Sequence, residues 1–94
     1  MLIVSGRIYV HPGTRQAFLT ASLAAVVQAR SARGCRDFVV AADPLEPDRV
    51  NVYEEWESEE ALVTFRGAGP DQALLSSIER ADVSRHVVAS SGPA

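Results

Sequence analysis

The sequence predicts an α+β domain of ferredoxin-like type. A four-stranded antiparallel sheet should carry both helices on one face. Three observations predict it. Short β-branched, apolar runs occur near each end of the chain and twice in the middle, as strands require. An alanine-rich stretch with apolar residues at helical spacing separates the first run from the second, and a shorter helical stretch separates the third from the fourth. Only the proline-rich "PLEPD" lies between the second and third runs, a link suited to a hairpin. The order β-α-β-β-α-β is the split βαβ arrangement. Right-handed crossovers then place both helices on the same side of the sheet.

Each element has its own signal. "LIVSGRIYV", residues 2–10, is apolar and β-branched with Ser5 and Arg7 two apart, and reads as the first strand. "HPGT" breaks it, and Gly13 or Thr14 can cap a helix. In residues 15–32, Phe18, Leu19, Leu23, Val26 and Val27 mark the expected buried face of that helix. Gly34 suits the left-handed position that ends it. "RDFVVAAD", residues 36–43, is the second strand, and "RVNVYEEW", residues 49–56, the third. Ser58 is a good N-cap, and Glu59 and Glu60 sit where the helix dipole favours anions. That helix should run to about Arg66. "GAGP" interrupts it, Asp71 caps a second helical piece, "QALLSSIER", and "DVSRHVVAS", residues 82–90, is the fourth strand. "SGPA", residues 91–94, is a flexible tail. The whole of residues 1–94 is expected to form one domain.

Composition excludes several functions. The net charge is −3 and every positive side chain is an arginine, which argues against binding a phosphate backbone. The opening apolar run is too short for a signal-peptide core, and no stretch is apolar enough to span a membrane. One cysteine, Cys35, permits no internal disulfide and fits a reducing cytoplasm. The lysine-free usage suggests a bacterial source. His11 and His86 are isolated and no cysteine cluster exists, so no metal site is expected. "GAGP" lacks the Lys and Ser/Thr of a phosphate loop.

The face of the sheet away from the helices should be bare. Alternation assigns it Ile3, Ser5, Arg7, Tyr9, Asn51 and Tyr53. So mixed a face on so small a domain predicts homodimerisation, sheet to sheet. The opposite face of the third strand should carry Val50, Val52, Glu54 and Trp56. Trp56 is then either a core plug with its indole N–H satisfied at the rim, or the wall of an apolar pocket for a flat aromatic ligand. Glu54 on an apolar face must be paired or protonated. It is either the partner of an arginine or a general base with a raised pKa. Arg66 either complements its own helix dipole or stands over the pocket mouth to stabilise a phenolate. Phe65 beside it belongs to the core or the pocket wall. His86 is a surface or interface residue unless it faces the pocket, where it could move a proton.

"GRIYVHPGTRQAFLTA" followed by "GCRDFVVAADPLEPDRVNVYEEWES" resembles the antibiotic biosynthesis monooxygenase family. The shared features are the Pro-Gly before the first helix, the Gly-Cys before the second strand, the Asp-Pro hairpin and the "YEEWES" junction. The likeness covers roughly residues 2–66. It implies a dimeric α+β barrel with a pocket between sheet and helices, bordered by the position of Trp56. It further implies a cofactor-independent monooxygenase that oxidises an aromatic phenol or quinol with dioxygen. Glu54 or His86 would move the proton, Arg66 would stabilise the anion, and Trp56 and Phe65 would shape the pocket. Haem-degrading relatives also require an asparagine in the first strand and a histidine in the second helix. The corresponding positions here are Gly6 and Arg66, which disfavours haem. The competing reading is a non-catalytic dimeric barrel that binds a small ligand.

Overall fold

The computed structural model describes residues 1–67, 69 and 72–94; the expected cap at Asp71 lies outside them. Its elements are β1 (Leu2–Val10), α1 (Arg15–Ser31), β2 (Cys35–Ala42), β3 (Arg49–Trp56), α2 (Glu59–Arg66), α3 (Gln72–Ser76) and β4 (Ile78–Val87). The four strands form one sheet in the order β2-β3-β1-β4, and each neighbouring pair is antiparallel. This is the predicted ferredoxin-like α+β fold.

Period-two alternation sets the two faces of the sheet. Leu2, Val4 and Val10 of β1 and Val50, Val52, Glu54 and Trp56 of β3 point toward the helices and are buried. One core cluster joins Leu2, Val4, Phe38 and Trp56 to Ala29 of α1 and Leu62 of α2. A second joins Val10, Phe18 and Val50, with Leu74 and Ile78 packed against it. The far face is uncovered in the single chain. Across it, register places Asp37, Glu55, Ile3 and His86 in one row, and Arg49, Tyr9 and Arg80 in a row near the other end. The Arg7–Asp82 ion pair (2.7 Å) and the Arg80 guanidinium 4.2 Å above the Tyr9 ring lie on this face.

The expected buried stripe of α1 is only half right. Phe18 is buried, but Leu23 is 60% and Val27 67% exposed. At about 100° per residue, Val27 lies roughly opposite Phe18, so the two cannot share a face. The contact face instead follows Phe18, Ser22 and Ala29, whose small members let the helix approach the sheet. Thr14 occupies the N-cap without a side-chain cap bond; its hydroxyl donates to the His11 carbonyl at 2.7 Å. Ser58 caps α2 as predicted, accepting from the Ala61 N–H at 3.1 Å.

The boundaries around β4 shift. The helical piece expected through Arg80 ends at Ser76, and β4 begins at Ile78 and ends at Val87, not at residues 82 and 90. Pairing with the full length of β1 outweighs the helix preference of "IER", and Ile78 gains burial against the second cluster. The connection after α1 turns at Gly34, with φ of +85°. A Cβ there would stand 2.5 Å from the Ala61 Cβ, so the residue serves both the turn and close packing on α2.

Candidate functional site

The site is built where β3 ends. Trp56 is fully buried. Its ring lies 5.2 Å from Phe65 of α2, and Phe65 meets Phe38 of β2 edge-on at 5.8 Å. Two residues earlier on the same face, Glu54 is 8% exposed. Its strand neighbours are Val4 on one side and Phe38 on the other, so a carboxylate sits on an apolar floor. The Trp56 indole N–H donates to Glu54 Oε1 at 2.9 Å. No salt bridge engages Glu54 among the described residues. Burial pushes its carboxyl above the ordinary value of 4.5, while the indole bond and the Arg66 charge pull it back down.

A cavity of about 620 Å³ opens above Glu54. Helix α1 supplies Ala21, Ala24, Ala25 and Gln28, and the sheet supplies Phe38 and Glu54. Phe65, Arg66 and Gly69 close the α2 side, with Leu74 of α3 beyond them. Among the described residues, the lining is apolar apart from Glu54, Arg66 and Gln28. Such a space suits a small apolar ligand held by a few polar groups.

The residues expected at the site separate into two sets. Glu54, Phe65 and Arg66 meet at the cavity. Trp56 does not line it: the ring lies behind the wall, packed on Phe65, and reaches the cavity only through its bond to Glu54. His86 pairs with Ile3 and so shares the uncovered face, on the other side of the sheet. It cannot exchange a proton with a ligand above Glu54. Sequence reasoning missed Phe38, Gln28, Leu74 and the alanines. Phe38 carries a signal, since hairpin register sets it beside Glu54. So does the spacing 21, 24, 25, 28, which marks one helical flank. At Gly6, a Cβ would stand 2.0 Å from the Asp82 carbonyl oxygen; β1 has no room there for an asparagine side chain. Among the described residues, no group of three or more His, Cys, Asp or Glu is placed to hold a metal. No helix is long and apolar enough to cross a membrane.

A ferredoxin-like domain with a carboxylate-bearing apolar cavity between sheet and helices is the class these features define. The model of the antibiotic biosynthesis monooxygenase family matches residues 1–73, and the chain belongs to that family. No curated protein matches it in sequence. Solved structures repeat the fold. A conserved protein from Methanosarcina mazei Go1 is similar with a TM-score of 0.79 at 18% identity, covering 90% of this chain and 89% of its own. A Deinococcus radiodurans protein, described as a candidate antibiotic biosynthesis monooxygenase, gives 0.81 at 13% identity over 100% of this chain and 98% of its own. Another so described, from Chloroflexus aurantiacus J-10-fl, gives 0.75 at 25% identity over 98% and 96%.

Proposed function

We propose that the protein is a cofactor-independent monooxygenase that oxidises an aromatic phenol or quinol-type molecule with dioxygen in the cavity above Glu54. The observation that carries this reading is a buried carboxylate without an arginine partner, facing an apolar cavity, with Arg66 on the lining. A carboxyl raised by burial is a better proton acceptor than an exposed one, and its rate contribution as a general base is typically 10²–10⁴-fold. Glu54 takes the hydroxyl proton of the substrate. Arg66 stabilises the phenolate, whose ring carbon is then electron-rich enough to reduce dioxygen. The carbon–oxygen bond forms, and the peroxide oxygen takes up a proton. Loss of the ring C–H proton and cleavage of the O–O bond leave a carbonyl and water. One phenol and one dioxygen thus give one quinone and one water. Phe38, Phe65 and the alanines give the anion apolar walls, which strengthen the electrostatics acting on it.

The Trp56–Glu54 bond favours a second reading, in which the carboxylate is structural and the chain binds a small ligand without chemistry. Oxygen-electrode assays and titration calorimetry with the same hydroquinones and anthrones separate the two. Oxygen uptake by the wild type with a bound ligand supports the oxygenase. Saturable binding without uptake supports the second reading.

The proposal includes a homodimer formed through the uncovered sheet face, with dioxygen and the aromatic substrate as the other partners. The half-buried Ile3, Tyr9 and Tyr53 on that face support it, since a sheet face left open on so small a domain is an interface candidate. A cytoplasmic location is part of the same reading, supported by the unpaired Cys35.

A further inference from the structure

The two carboxyl oxygens of Glu54 have different surroundings. Oε1 accepts the Trp56 indole N–H at 2.9 Å. Oε2 has no hydrogen-bond partner among the described residues. No fully buried side-chain oxygen or nitrogen of those residues lacks a partner, so Oε2 is not sealed in the core. Glu54 is on the cavity lining and Trp56 is not; Oε2 is therefore the oxygen that reaches the cavity. The donor on the other side is held fast. Trp56 is fully buried and lies between Leu2 of β1 and Cys35 of β2 in the sheet register. Its ring centroid is 5.2 Å from that of Phe65. Donor and acceptor share one face of one strand, two residues apart, so a rigid element carries both.

An indole N–H donates and never accepts. It can bond to an ionised carboxylate, or to the carbonyl oxygen of a neutral carboxyl, but it cannot face a carboxyl O–H. The proton that Glu54 takes up is thereby excluded from Oε1. We infer that Trp56 is the positioning residue of the site: its N–H fixes Oε1 and leaves Oε2 as the atom that takes the substrate hydroxyl proton. This inference rests on the proposed function and deepens it. In the transfer the substrate O–H bond breaks, an Oε2–H bond forms, and the negative charge passes from the carboxyl to the phenolate. The indole keeps its own proton, so its bond to Oε1 is compatible with both states of Glu54. The same bond stabilises the charged carboxylate and opposes the burial that raises its pKa. Among the described residues, Arg66 of α2 also favours the ionised form. Cys35 of β2 stays an uncharged thiol, held above its ordinary value of 9.0 chiefly by burial. Arg85 of β4, two strands away on the same face, is paired with Glu59 at 2.8 Å. Helices α1 and α3 present alanines, Gln28 and Leu74 to the cavity.

The test removes the N–H and keeps an aromatic ring. Trp56→Phe does this but leaves a void in the core. A second protein therefore carries benzothienylalanine at position 56, where sulfur replaces the N–H with nearly the same shape; if Trp56→Phe fails to fold, this isostere alone decides. Each is compared with wild type by carbon-13 NMR titration of the Glu54 carboxyl, and by oxygen uptake across pH with hydroquinones and anthrones. Loss of a hydrogen bond to a charged group should raise the proton affinity of Glu54 about tenfold or more. The pH at which uptake rises should move up with it, and kcat below that pH should fall about tenfold. KM should stay within about twofold, because Trp56 does not line the cavity. An uptake profile left where it was, or a carboxyl that titrates as in wild type, overturns the positioning role and leaves the oxygenase reading intact. So does a raised KM with kcat unchanged, which would make Trp56 a wall of the cavity. No uptake by the wild type with any of these substrates overturns the proposed function, and this inference with it.

Discussion

The pairing of Trp56 with Glu54 is the residue-scale fact on which the site depends. Their shared face follows from strand parity alone, and parity was legible in "VYEEW". What parity cannot give is which of two polar neighbours a buried carboxylate meets, because that depends on helices from elsewhere in the chain. An arginine partner and a free carboxyl were the two expectations; the fold delivers a third arrangement, a bond from the Trp56 indole at 2.9 Å. The consequence for stability has a definite sign. Burial holds the folded Glu54 carboxyl above 4.5, so the folded state binds its proton more tightly than the unfolded chain does. Stability is then fully present below about 4.5 and falls as pH rises through the raised value. Glu54→Gln keeps an oxygen for the indole and has no charge to desolvate. Its stability relative to wild type should therefore rise between pH 4 and pH 8 in urea melts. Parallel stability–pH curves for the two proteins would refute a raised carboxyl.

At the scale of elements, the first three strands were read closely, and the fourth strand and the helix faces less well. β1 and β3 were legible because burial on one face imposes strict alternation. The face of α1 was obscured by its alanines, which fit core, cavity and surface alike. The apolar residues that stand out, Leu23 and Val27, are on the outside. The start of β4 was hidden because "IER" favours helix locally, and only the long-range pairing with β1 decides it. The α1–β2 connection matters to the site through Gly34, which lets α2 come close. Gly34→Ala forces a Cβ against Ala61 and a positive φ on a non-glycine residue. It should destabilise the protein by about 1–3 kcal/mol. It should also weaken ligand binding, because α2 carries Phe65 and Arg66. A melt within about 0.5 kcal/mol of wild type would show that the contact relaxes freely.

At the scale of the whole molecule, the uncovered face is polarised along its strands. Asp37 and Glu55 stand in one row, and Arg49 and Arg80 in the row near the opposite end. In the proposed dimer, a two-fold axis lying between the sheets and perpendicular to the strands sets each acidic row over the partner's basic row. An axis parallel to the strands would stack like on like. Glu55→Arg should accordingly raise the dimer Kd about 3- to 10-fold, as for partly desolvated charge pairs, and high salt should weaken the wild-type dimer. Sedimentation equilibrium across salt concentrations checks both effects. A tighter Glu55→Arg dimer would contradict the arrangement. The fold could be read from the sequence because alternation and connection length determine it locally. The cavity could not, since residues from α1, β2, β3, α2 and α3 together build its walls.

The central claim is that Glu54 takes the substrate proton in a cavity where dioxygen then reacts. Its most direct test is oxygen consumption by wild type and Glu54→Gln with one phenolic substrate that both proteins bind, across pH. The account predicts wild-type uptake that rises with pH as Glu54 ionises. In Glu54→Gln the rate should fall by about 10²–10⁴-fold, with substrate affinity within about threefold of wild type. A Glu54→Gln rate equal to that of the wild type, with the same pH dependence, would contradict it.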